Sequence, residues 1–112
     1  MYKTRQELIA RALLELGVIG AGQPAQPEDA QLVDDEIGPV LSDLAFRGYY
    51  NYGDPDRIEE EAFVHLALIL ANSVARPFGK QPDDVLRVYH EARLKDLHYS
   101  SPPSNPVAVR YF

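Results

Sequence analysis

The chain contains no cysteine and no tryptophan, and only one methionine among its 112 residues. Without cysteine there can be no disulfide framework, thiolate zinc site, thiol redox chemistry or cysteine nucleophile. Long hydrophobic runs are missing too. The longest apolar stretch, 62–71, is interrupted by His65 and falls well short of the ~20 residues that span a bilayer. The opening Met1-Tyr2-Lys3-Thr4-Arg5 leads into an amphipathic segment, with no sign of a secretory signal. Positive charge is scarce: 11 Lys and Arg face 17 Asp and Glu, for a net charge of −6. Non-specific DNA affinity comes from bases neutralising phosphates, so this chain should repel DNA or touch it through a local basic patch. No internal repeat is visible.

Apolar residues make up 46% and charged residues 25%, which fits one globular domain with a modest core. Periodicity points to an all-α fold, a small bundle of about four helices followed by an extended C-terminal arm. Thr4 and Glu7 form a capping-box pattern, and Leu8, Ile9, Ala12, Leu13 and Leu16 follow at helical spacing. Gly17 suits the position just past the end, so the first helix is predicted over 4–16. Residues 17–26, with three glycines and a proline, read as a loop.

Pro27 can open a second helix, with Glu28 and Asp29 on its positive end. Ala30, Val33, Ile37, Val40, Leu41 and Leu44 form its stripe and Gly48 closes it. Gly38-Pro39 lies inside, where proline removes a hydrogen bond and costs ~3 kcal/mol. A kink or short break is expected there. Residues 48–56 read as a loop or a short extended excursion. Asp54 before Pro55 is a candidate cap for a third helix over 55–76, apolar nearly all round and therefore central. The turn Arg76-Pro77-Phe78-Gly79 ends it. Pro82-Asp83-Asp84 opens a fourth helix to about Leu97, with Val85, Val88, Tyr89, Ala92 and Leu97 as its apolar positions.

From Tyr99 the character changes. Prolines 102, 103 and 106 forbid a regular helix, and Val107, Val109, Arg110, Tyr111 and Phe112 make an apolar, aromatic segment. Hence the expected division is a helical body over 1–98 and a docking arm over 99–112.

Candidate chemistry is thin. Glu61 and His65 share a helix face at i, i+4 and could form half a metal site or an acid–base pair. His90 and His98 lie on a similar face of the fourth helix. The simpler reading of each pair is a local polar contact. Asp34-Asp35-Glu36 and Glu59-Glu60-Glu61 could supply paired carboxylates for glycoside hydrolysis. Adjacent helical residues diverge, however, so a solvated face is the simpler account. No serine sits in a nucleophile elbow, and the Gly17–Gly22 region lacks the Lys-Ser/Thr of a phosphate loop. Tyr49, Tyr50 and Tyr52 form an aromatic cluster that could anchor an interface or cover the end of the core. No metal, cofactor or catalytic residue is predicted.

The order of these features resembles the head-to-tail adaptors of phages, also described as tail accessory, packaged-DNA stabilisation or head-completion proteins. The resemblance rests on several stretches: Lys3-Thr4 with Leu8, Ala12-Leu13 and Leu16-Gly17-Val18, then Asp29-Ala30 and Val33-Asp34-Asp35 with Phe46 and Gly48. Ala62-Phe63-Val64-His65-Leu66-Ala67, the helix over 82–97 and the Ser/Pro-rich end complete it. It implies a structural virion protein at the head–tail junction, made in the host cytoplasm, in a phage or a gene-transfer particle. Such proteins form a homo-oligomeric ring, commonly of twelve copies, beneath the portal protein. DNA passes through the ring without specific binding, and a downstream tail or stopper protein follows. No membrane is involved.

Carried onto this chain, the resemblance assigns portal docking to Pro102, Pro103, Pro106, Val107, Val109, Arg110, Tyr111 and Phe112. It makes Tyr49, Tyr50 and Tyr52 candidates for contact with a neighbouring subunit or the tail. The chain is shorter than typical short-tailed phage members, and Gly38-Pro39 departs from the pattern. Two other classes remain open. A helix-turn-helix regulator would need exposed bases, whereas the second helix carries Glu28, Asp29, Asp34, Asp35, Glu36 and Asp43. A carboxylate-based cell-wall hydrolase would need a paired-carboxylate cleft.

Overall fold

A computed structural model describes residues 2–50 and 56–100. Four helices carry the fold: α1 (Arg5–Glu15), α2 (Pro27–Phe46), α3 (Glu60–Ser73) and α4 (Asp84–Ser100). Two short strands, β1 (Tyr2–Lys3) and β2 (Ile58–Glu59), pair antiparallel, with Tyr2 opposite Glu59 and Lys3 opposite Ile58. The all-α bundle expected from periodicity is therefore the fold, with this small ribbon added.

Each helix starts where local chemistry allows. The capping box at α1 is complete: Thr4 Oγ1 accepts from the Glu7 N–H at 3.2 Å, and the Thr4 N–H donates to Glu7 Oε1 at 2.9 Å. Pro27 opens α2 at a position whose N–H has no helical partner anyway. At α4, Asp83 Oδ1 accepts from the N–H groups of Val85 and Leu86 at 3.0 and 3.1 Å. These carboxylate–amide bonds satisfy orphan donors of the first turn. Gly17 and Gly48 take φ of 75° and 80° just past α1 and α2, a region that favours glycine.

Several expectations need correction. Of the kink or short break expected at Gly38-Pro39, the break is absent: α2 is one continuous helix there. Both residues are exposed, as is Asp35, whose carbonyl loses its partner; solvent can replace the missing bond there. The third helix begins at Glu60, not near 55, because Ile58 is in the core and Glu59 is extended (ψ 137°). It ends at Ser73, and a separate 3₁₀ turn covers Arg76–Phe78. α4 continues through Ser100, three residues past the end expected near Leu97. Pro102 restricts its own position and the one before it, so Ser100 is free to stay helical.

α3 is central, packing against α1, α2 and α4. Its Ala62, Leu66, Ala67 and Leu70 join Leu8, Ala12 and Leu13 of α1 and Val33, Ile37, Leu41 and Leu44 of α2 in one core. Full burial of each large aliphatic side chain is worth roughly 1.5–3 kcal/mol.

The fourth helix faces the other way from its expected orientation. Val85, Val88 and Tyr89 are exposed by 81%, 55% and 58%, and Ala92 is exposed as well. The side turned inward carries Leu86, His90, Glu91, Leu94 and Leu97. Leu94 and Glu91 are buried, at 1% and 4% exposure. Periodicity finds a stripe but does not say which way it points. Here the polar partners of His90 and Glu91 decide.

Candidate functional site

Two polar clusters lie on the inner side of α4. The first is built on Glu91. Arg47, at the end of α2, makes a two-pronged contact with it: Nη1 to Oε1 at 3.1 Å and Nη2 to Oε2 at 2.7 Å. Arg87, one turn earlier on α4, donates to both oxygens at 3.2 Å. Asp43 and Asp84 extend the network to the surface through Arg47 and Arg87. Burial pushes the Glu91 carboxyl up, but the hydrogen bonds and charges of Arg47 and Arg87 outweigh it and hold it below the usual carboxylate range. The Glu91 hydrogen bonds likewise raise the Arg47 guanidinium. This carboxylate is charged, paired and inaccessible, so it joins α2 to α4 and is a poor proton carrier.

The second cluster is a histidine pair. His65 of α3 and His90 of α4 meet Nδ1 to Nδ1 at 2.8 Å, with ring centroids 5.1 Å apart. The centroid distance is the N···N distance plus little more than two ring radii, so the rings point edge-on at each other. Such a contact holds one proton: one Nδ1 donates and the other accepts. Burial lowers both pKa values. The neighbouring imidazole and Arg93 depress His65 further, whereas Glu15 of α1 partly offsets the shift of His90. Tyr89 packs edge-on to His90 at 5.0 Å. Among the described residues no group of three or more His, Cys, Asp or Glu could hold a metal ion.

His65 is thus brought to His90, a pairing across helices that spacing along either helix does not reveal. The side chain of His98 lies outside the described ones. The acidic runs split as adjacent helical residues must. Asp34 pairs with Arg5, Asp35 accepts from Gln31 at 2.8 Å, and Glu36 accepts from Ser73 at 3.4 Å. Glu59 is in β2, while Glu60 and Glu61 are exposed.

The tyrosine cluster also divides. Tyr50 is buried at 8% exposure and belongs to the core. Desolvation, with the charge and hydrogen bond of Glu59, pushes its phenol up to about 12. Its ring therefore packs in this chain's interior, as in the alternative reading that the tyrosines cover the end of the core. Tyr49 is half-buried, with Arg47 at 4.9 Å and Lys95 at 5.4 Å from its ring centroid. Tyr52 and the eight arm residues from Pro102 to Phe112 lie outside the described residues.

Sequence reasoning missed Glu91, Arg47 and Arg87. The i, i+4 spacing of Arg87 and Glu91 was a signal, but nothing local pointed to Arg47. No family model matches the chain, and no curated protein or solved structure matches it.

Among the described residues, no helix is long and apolar enough to cross a membrane. Among the described residues, α4 carries more exposed large apolar side chains than any other helix, namely Val85, Val88 and Tyr89. On α2, Glu28, Gln31, Asp35 and Asp43 are exposed and form a carboxylate-rich outer face.

Proposed function

We propose that this chain is a structural head-to-tail adaptor of a phage-like particle. Copies form a ring, commonly of twelve, beneath a portal protein, extend the DNA channel and receive a downstream tail or stopper protein. The observation that carries the reading is the ordered resemblance along the chain, with its compact four-helix body. The acidic outer face of α2 supports it physically. Carboxylates lining a channel repel phosphates and let DNA slide without sticking. The same face weighs against a helix-turn-helix regulator, which needs bases toward the groove. Ring closure makes subunit contacts heterologous, with different patches on the two sides of each copy.

In this reading the segment 102–112 docks on the portal. The test is to mix the purified protein with portal rings from the same particle and examine them by electron microscopy. An added ring of density beneath the portal is the expected result. Portal rings that stay bare at saturating protein would overturn the reading.

A further inference from the structure

α4 leaves an apolar face uncovered by any of the described residues. Val85, Val88, Tyr89 and Ala92 follow i, i+3, i+4, i+7 spacing, which is how a helix lays an apolar face into a partner. All four are exposed, on the side of the helix away from Leu94 and the core. Isolated exposed apolar residues need no explanation, but a stripe at helical period does.

The stripe is self-complementary. At roughly 100° per residue, Val85, Val88 and Ala92 share one narrow seam. Tyr89 flanks it on one side, and Asp84 and Lys95 flank it together on the other. A second copy of α4 can be laid antiparallel against the first, about a twofold axis level with position 90. Such an axis brings each flank against the same flank of the other copy. Val88 of each copy then meets Ala92 of the other, and the two Tyr89 rings meet near the axis. Val85 lies under the Lys95 stem of the other copy. The charges agree with this register. Asp84 lies six residues before the axis and Lys95 five after it, so across the seam they are offset by one residue, ~1.5 Å. Both are exposed, the Asp84 side chain by 84%. Opposite charges therefore face each other twice. A parallel pairing would leave them at opposite ends of the seam, ~16 Å apart along it.

We infer that the outward stripe of α4 is the contact face of a twofold homodimer of the free chain. Two α4 helices pack antiparallel through Val85, Val88, Tyr89 and Ala92, with reciprocal Asp84–Lys95 pairs setting the register. One helix face covers less than the ~800 Å² per partner of a standard interface, so the dimer is reversible and forms as concentration rises. An isologous contact closes with two copies, whereas a ring requires heterologous ones. The inference therefore goes beyond the adaptor reading and stands without it, because it concerns the free chain.

Sedimentation equilibrium of the full-length protein, from micromolar to millimolar concentration, reads the association directly. A monomer–dimer equilibrium is expected. Val88→Asp, at an exposed position outside the core, should raise the dissociation constant at least tenfold while the helical circular dichroism stays unchanged. Asp84→Lys and Lys95→Asp should each weaken the dimer several-fold by placing like charges together, and the double variant Asp84→Lys/Lys95→Asp should restore it. Restoration by the swap is the signature of the antiparallel register, since structural defects at the two positions would add rather than cancel. A chain that stays monomeric at millimolar concentration would overturn the inference, whether the stripe is then bare or covered within the molecule. A dimer indifferent to Val88→Asp, or a swap variant as weak as its two parents, would overturn it too. None of these results bears on the portal experiment.

Discussion

α3 and α4 lie against each other, yet they treat their apolar residues in opposite ways. α3 is apolar around most of its circumference and is enclosed by three helices, so nearly every large side chain finds a partner. α4 turns Val85, Val88 and Tyr89 to solvent and meets the bundle with His90, Glu91 and Leu94. A helix surrounded on all sides has no orientation to choose. One at the edge of a bundle has two candidate faces, and the strongest specific contacts select between them. For α4 those are a carboxylate held by two guanidiniums and an imidazole pair, beside Leu94.

The contrast can be broken first at α3. Leu66→Ala removes a fully buried side chain at the centre of the core and should cost about 2–5 kcal/mol in urea-induced unfolding. A loss below about 1 kcal/mol would deny α3 its central place.

Next comes the inner face of α4. Glu91→Ala leaves Arg47 and Arg87 without their shared acceptor and should cost about 1–3 kcal/mol at neutral pH. Because the Glu91 pKa is lowered in the fold, its contribution is present above the ordinary carboxylate range and is lost as pH falls through the folded value. The gap between wild type and Glu91→Gln should therefore close in acid. A gap that stays constant down to acid pH would remove the ion pairs from the account.

The histidine pair should give a smaller effect of its own. Both pKa values are lowered on folding, so the unfolded chain takes up protons first. Stability should fall as pH drops below about 6.5, then level once the folded pair titrates. Glu15 of α1 and Arg93 of α4 are the other charged groups that act on the pair. His90→Gln should flatten that limb of the curve, and an unchanged slope would show that the pair is not linked to folding.

The smallest effect is expected at Phe46, 91% exposed at the end of α2. Phe46→Ser should stay within about 0.5 kcal/mol. A larger loss would mean that this ring, too, is covered in solution.

Much of the architecture was readable in advance, and the reasons are local. The Thr4–Glu7 box, Pro27, Gly17, Gly48 and Asp83 each satisfy or release backbone groups within a few residues of themselves. The burial of α3 was readable because a helix apolar on all sides has nowhere else to go. Harder to see was anything that depends on distant residues. The β1–β2 ribbon joins segments more than fifty residues apart with only two residues each, too short for a periodic signal. Tyr50 looked like one of three equivalent loop tyrosines until Glu59 and the core claimed it.

For this protein, sequence alone determined the helix count, the starts of α1, α2 and α4, the identity of the central helix and the acidic balance of the surface. These follow from propensity, capping and composition, which act over a few residues. Only the tertiary structure decided that α4 shows its apolar stripe to solvent, that His65 meets His90, and that Arg47 reaches Glu91 from another helix. Each of those depends on which groups meet across helices, and such contacts exist only once the helices have packed.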